Sequence, residues 1–165
     1  MSRAIDRDDV NLCGVQKTNT MKHQISTEIE INASIEKVWN ALTSFDTFPN
    51  WNPFIKSITG NVAVGNTIEV VLHPPGGSAM KMKPTVEIFE REKVFQWHGH
   101  LGINGIFDGQ HRFELVALSE GKTKLIHSEK FKGILVRPLK KMLDGKTKDG
   151  FEMMNLALKA HLERV

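Results

Sequence analysis

His111, His127 and Glu129 are the residues of this chain best suited by type to move a proton, and all three occupy positions that an alternating strand reserves for apolar side chains. In the stretch GQHRFELVALSEGKTKLIHSEKF, from Gly109 to Phe131, period-two reading groups Phe107, Gly109, His111, Phe113 and Leu115 on one face of a first strand. It groups Thr123, Leu125, His127, Glu129 and Phe131 on one face of a second. A three-residue hairpin loop of Ser119, Glu120 and Gly121, with Gly121 left-handed, sets Leu118 opposite Lys122. His111 then faces Glu129, Phe113 faces His127, and Leu115 faces Leu125. A slip of one residue would turn a polar face inward, so the apolar pattern itself supports this register.

A carboxylate beside an imidazole orients the ring and favours its protonated form, which makes His111 with Glu129 the candidate general acid or base near neutral pH. His127 is the second candidate. The same residues serve equally as a mutually satisfied buried group that fixes the hairpin register, since an unpaired buried charge is costly under either use. The chain has no Tyr, so proton transfer must draw on His, a carboxylate, Lys, Ser, Thr or water.

Other motifs carry less chemistry. His98 and His100 share the opposite strand face, but no third ligand is evident and no metal is expected. The run Gly60 to Thr67 imitates a phosphate loop yet has Asn66 where the lysine belongs, and it lies between strands, so no nucleotide cofactor is expected.

The elements that must position the histidines follow from periodicity. His23 to Asn32 alternates as a first strand. Ser34 caps a helix with Ile35, Val38, Trp39 and Leu42 on one stripe, and Ser44 caps a short turn that Pro49 ends. Strand-like runs then cover Phe54 to Thr59, Thr67 to Leu72, Met80 to Glu90 with an edge or bulge at Pro84, and Lys93 to His100, before the hairpin. Short links between consecutive strands argue for an antiparallel meander. From Arg137-Pro138 onward, Leu139, Leu143, Phe151, Met154, Leu158 and Leu162 mark a long helix. Gly145 and Gly150 are positions for a kink or a close approach. The expected fold is α+β: one curved antiparallel sheet wrapped around a long C-terminal helix, with two short helices after the first strand.

At 165 residues and 18.6 kDa the chain makes one domain, read here as residues 22–165 behind a tail or extension of residues 1–21. A lone Cys13 forms no internal disulfide, no apolar leader is present, and no run approaches the roughly 20 residues of a membrane span. A cytoplasmic protein without stable membrane insertion, monomeric or weakly dimeric, is expected. The net charge of +3 is concentrated between Lys130 and Lys148, where seven cations face the single acid Asp144. They form either a solvated face or a rim attracting an anionic ligand head. No aromatic interleaving or reader motif points to nucleic acid.

The words IEINASIEKVWNALTSFDTFPNWNPFI, WHGHLG, GQHRFEL and HSEKFKGILVRPL, in that order, resemble the SRPBCC superfamily of START-like helix-grip proteins, in its polyketide cyclase/dehydrase-like branch. The resemblance covers Met21 to Val165 and implies a hydrophobic cavity between sheet and C-terminal helix. Its lining would be Trp39, Trp51, Trp97, Phe107, His111, Phe113, His127, Glu129, Phe131, Phe151, Met154 and Leu158. Trp51 belongs to a WNPF element that forms either a lip over the cavity or a packed corner. The leading functional expectation is binding or carriage of a hydrophobic small molecule: a lipid, polyketide-like or aromatic compound. An enzyme of cyclase, dehydratase or hydrolase type using His111 and Glu129 is the alternative, and a chaperone-regulating interaction domain the third.

Overall fold

The computed structural model describes residues 22–164, so the expected tail with Cys13 lies outside the described residues. Strand β1 (Lys22–Ile31) turns Ile25 and Ile31 into the core. Helix α1 (Ile35–Thr43) begins as expected, with the Ser34 hydroxyl accepting the Lys37 amide and Val38, Trp39 and Leu42 buried. The segment after it departs from expectation. Ser44 donates its hydroxyl to the Asn40 carbonyl at 2.7 Å instead of capping the next turn, and Pro49 sits in the first turn of α2 (Phe48–Trp51) without ending it. A proline there loses no hydrogen bond, because first-turn amides have no helical partner.

The remaining strands are β2 (Ile55–Thr59), β3 (Glu69–Leu72), β4 (Met80–Met82), β5 (Thr85–Glu90), β6 (Val94–His100), β7 (Asp108–Ser119) and β8 (Lys122–Lys132). They form two antiparallel sheets, not one: a five-stranded sheet in the order β1-β8-β7-β6-β5 and a three-stranded sheet in the order β2-β3-β4. The run read as a single strand from Met80 to Glu90 is divided at Pro84, which cannot donate to a ladder. Its halves join different sheets. Hydrogen bonds from the Ile68 amide to Pro84 and from the Val86 amide to Asn66, both 2.9 Å, stitch the sheets together there.

The β7/β8 register is the expected one, with His111 opposite Glu129, Phe113 opposite His127 and Leu115 opposite Leu125. The turn is shorter than expected. Ser119 pairs with Lys122, and Gly121 does not adopt a positive φ. The extra residue is absorbed as an irregularity between Ala117 and Ser119, which leaves the inward alternation below it intact.

The C-terminal segment runs through α3 (Val136–Met142), a π-helical turn at Leu143–Thr147 and α4 (Lys148–Leu162). Gly145 lies inside the wide turn. Gly150 is a point of close approach: a Cβ there would overlap the Phe54 ring, which packs edge-on against Phe151 with centroids 5.5 Å apart. Phe151, Met154 and Leu158 are fully buried against the sheet. The fold is α+β, a curved sheet around the C-terminal helix. Among the described residues no helix is long and apolar enough to cross a membrane.

Candidate functional site

His111 and Glu129 face each other across the β7/β8 ladder because both positions lie on its inward alternation, and His127 stands one inward position along β8. The His111 Nδ1 is 3.3 Å from Glu129 Oε2. On its other side, His111 Nε2 is 2.9 Å from His127 Nε2, and His127 Nδ1 is 3.0 Å from Asn155 Oδ1 on α4. The Asn155 amide donates to Thr27 Oγ1 on β1 at 2.9 Å, and that hydroxyl donates to the His127 carbonyl. One continuous hydrogen-bonded array therefore crosses the core from β8 through β7 to α4 and β1.

The proton positions follow from the last link backward. Asn155 uses its amide nitrogen as donor to Thr27, which leaves its oxygen to accept, so His127 carries hydrogen on Nδ1. A neutral His127 then accepts at Nε2, and His111 must donate from its own Nε2. His111 is left with a bare Nδ1, which requires the Glu129 carboxyl group to be the donor. Burial agrees with this assignment. It lowers the His111 pKa to about 3, holds His127 well below the ordinary histidine value, and raises Glu129 to about 8. The expected pairing of carboxylate with imidazolium is thus replaced by a neutral carboxylic acid and two neutral imidazoles. In the core, desolvation of two charges exceeds what their attraction returns, and a separation of 3.3 Å is long for an ionic hydrogen bond.

Aromatic rings hold the array in place. Trp97 stacks on His111 with centroids 4.5 Å apart and planes within 2°, and Phe151 stacks on His127 at 3.9 Å. Phe113 packs against both imidazoles. Phe107 and Phe131 are in contact toward the β6–β7 loop, and Trp39 packs on Phe89. Met154 and Leu158 are buried on α4. Trp51 stands apart, between Phe48 and His161, in a packed corner; its indole nitrogen is buried without a partner among the described residues. The inner-face side chains are in mutual contact, so the sheet and helix are closed on one another. Glu129 is the edge of this group: its Oε1 rests against Gly109, where a Cβ would overlap it, and has no hydrogen-bond partner among the described residues.

Asn155 and Thr27 are the site residues that sequence reading passes over. Asn155 lies among Phe151, Met154 and Leu158 at helical spacing, and a polar residue inside an apolar stripe was the available signal. At their end the array reaches a groove of about 350 Å³ between β1 and α4, lined also by Lys148 and Glu152. His100 uses Nδ1 on the Gly102 carbonyl, and no three His, Cys, Asp or Glu among the described residues are grouped to hold a metal.

Residues 22–163 match the family described as polyketide cyclase/dehydrase and lipid transport. No match is found among curated proteins. Similar solved structures include a START superfamily protein from Mycobacterium smegmatis (23% identity, TM-score 0.66, 86% of this chain and 97% of that one). An aromatase/cyclase from a Streptomyces species aligns with 12% identity and TM-score 0.70 over 87% of this chain and 95% of that one. Truncated norcoclaurine synthase from Thalictrum flavum aligns with 16% identity and TM-score 0.70 over 92% and 100%. At these identities the likeness is one of fold.

Proposed function

Since the chain belongs to the polyketide cyclase/dehydrase and lipid transport family, we propose that it binds a hydrophobic small molecule, lipid, polyketide-like or aromatic, between the inner face of the sheet and the C-terminal helix. The observation that carries this reading is Glu129: a neutral carboxyl group set in an aromatic wall, with Oε2 committed to His111 and Oε1 uncommitted among the described residues. The rest of the array is satisfied internally, so Oε1, at its solvent-reachable edge, is the acceptor it leaves open to a ligand hydroxyl. Entry requires α3 and α4 to part from the sheet, and the π-helical turn at Leu143–Thr147 supplies a wide, weak point in that helix. Arg137 and Lys141 on α3 are exposed and have no carboxylate partner among the described residues, which leaves them available to an anionic head, whereas Lys140 is occupied by Asp144.

Native mass spectrometry of the purified full chain, followed by denaturing extraction, tests the reading. A stoichiometric organic passenger, or saturable binding of a hydrophobic fluorescent probe that Glu129→Leu weakens, is the expected result. Absence of both would overturn it.

The alignment of the array favours an enzymatic second reading. Glu129, held protonated by burial, gives its proton to a ligand oxygen as general acid, and the carboxylate so formed takes one proton back from the ligand, with His111 and His127 staying neutral and fixing the carboxyl group's position. The balance is one proton given and one recovered, as cyclisation or dehydration of an enolisable compound requires. Turnover abolished by His111→Ala with ligand affinity retained would establish this role; parallel loss of folding would assign His111 to structure alone.

A further inference from the structure

The outer face of the larger sheet, away from the buried array, carries a charge pattern that the inner site does not explain. Lys22 stands directly opposite Lys132 in the β1/β8 ladder, and Lys130 is the next outward position, opposite Gln24. Like charges directly opposed across a ladder repel. At the other end of the same two strands, Lys122 and Lys124 are matched with Glu30 and Glu28. Lys140, Lys148 and Lys159 also have carboxylate partners. Among the described residues, no carboxylate is within ion-pair distance of Lys22, Lys130 or Lys132.

These three lysines border a cavity of about 620 Å³. Gln24, Gln110, His98 and Asn104 add polar groups to its wall, which His23 and Phe131 complete. Its one acid, Asp108, stands opposite Lys132 in the β7/β8 ladder, but both its oxygens accept the Gly105 amide, at 2.9 and 3.1 Å, and it forms no ion pair with the three lysines. The Gln110 amide donates to Glu87 on β5, so the acid nearest that side is also engaged.

We propose that this lysine-bordered cavity is a binding site for a phosphate-bearing molecule, distinct in its chemistry from the apolar inner site although Phe131 borders both. Its volume lies within the range of about 300–1,000 Å³ usual for ligand pockets. Lysine ammonium groups act as point charges without the planar fork of arginine, so three of them converging suit a compact, multiply charged group. Ile103, 72% exposed, sits beside Asn104 on the β6–β7 loop. An apolar tip next to a phosphate site suits a lipid headgroup, while the cavity alone suits a free phosphate; the phosphate is common to both.

The full chain is titrated with inorganic pyrophosphate by calorimetry, and co-sedimented with phosphatidylcholine vesicles prepared with and without phosphatidic acid. Lys22→Gln/Lys132→Gln is compared with Lys122→Gln/Lys124→Gln, both checked for fold by circular dichroism. The expected result is saturable binding that the first pair weakens by about tenfold or more and the second leaves nearly unchanged, with affinity falling as salt is raised. Binding of pyrophosphate identifies a free phosphate as the source. Binding only to vesicles containing phosphatidic acid, reduced by Ile103→Ser, identifies a headgroup. No saturable binding to either probe, or equal losses in the two double variants, overturns the proposal.

Discussion

The Nε2 atoms of His111 and His127 lie 2.9 Å apart in the core, so one carries a hydrogen and the other does not. That asymmetry, fixed by Asn155 at one end and Glu129 at the other, orders every proton between β8 and α4.

The two rings are therefore expected to be opposite tautomers, His111 with hydrogen on Nε2 and His127 with hydrogen on Nδ1. Long-range ¹⁵N–¹H correlation spectra of the imidazoles read this directly. His111 should stay neutral at pH 5, where an ordinary histidine is largely charged, and His127 should become charged only well below the ordinary value. Identical tautomers, or a His111 imidazolium signal at that pH, would contradict the assignment.

Stability should pass through a maximum near pH 6.5. Both imidazoles have folded pKa values below the ordinary 6.5, so the folded state binds fewer protons and stability is lost as pH falls below that value, the His111 share of it toward about 3. Glu129 is raised from 4.5 to about 8, so its contribution is lost as pH rises through that interval. Two histidines outweigh one carboxyl group below pH 6.5, and above it only the carboxyl group titrates. Glu129→Gln, whose amide still donates to His111, should remove the alkaline decline in urea midpoints between pH 6.5 and 8. An alkaline decline unchanged by this variant would place its cause elsewhere.

Asn155→Ala should destabilise the domain by about 1–3 kcal/mol, because the His127 Nδ1 hydrogen loses its acceptor in a buried setting. Urea unfolding measures the loss, and the His127 tautomer should become mixed in the same variant. A purely packing role for Asn155 predicts the first effect without the second.

Gly109→Ala tests the position of the carboxyl group without altering any ionisable residue. The new Cβ would overlap Glu129 Oε1, so the carboxyl group must shift from its place beside His111. The expected outcome is loss of the single His111 tautomer with β-sheet circular dichroism retained. Unchanged imidazole spectra would show that Glu129 does not set the direction of the array.

The fold and its inner face were legible along the chain because each strand and helix prints its own period. The alternation through His111, Phe113 and Leu115, set against Leu125, His127 and Glu129, was enough to give the β7/β8 register, since any slip exposes apolar side chains. Ser34 and Pro138 likewise announced a cap and a helix entry through local geometry alone, whereas Gly150 announced a kink or a close approach, and packing against Phe54 decided for the second. The division into two sheets at Pro84 was only half legible, because a proline marks a break without saying which neighbour each half will join.

Tertiary structure decided the chemistry. Asn155 and Thr27 reach His127 from α4 and β1, 28 and 100 positions away in sequence, and neither carries a motif. Ionisation was not readable from residue types either. A Glu facing a His suggests an ion pair in water, but protonation depends on how much solvent the completed core removes, and here burial leaves the acid protonated and both rings neutral. The opposition of Lys22 and Lys132 has the same origin: the first and last strands in sequence became neighbours only when β1 paired with β8.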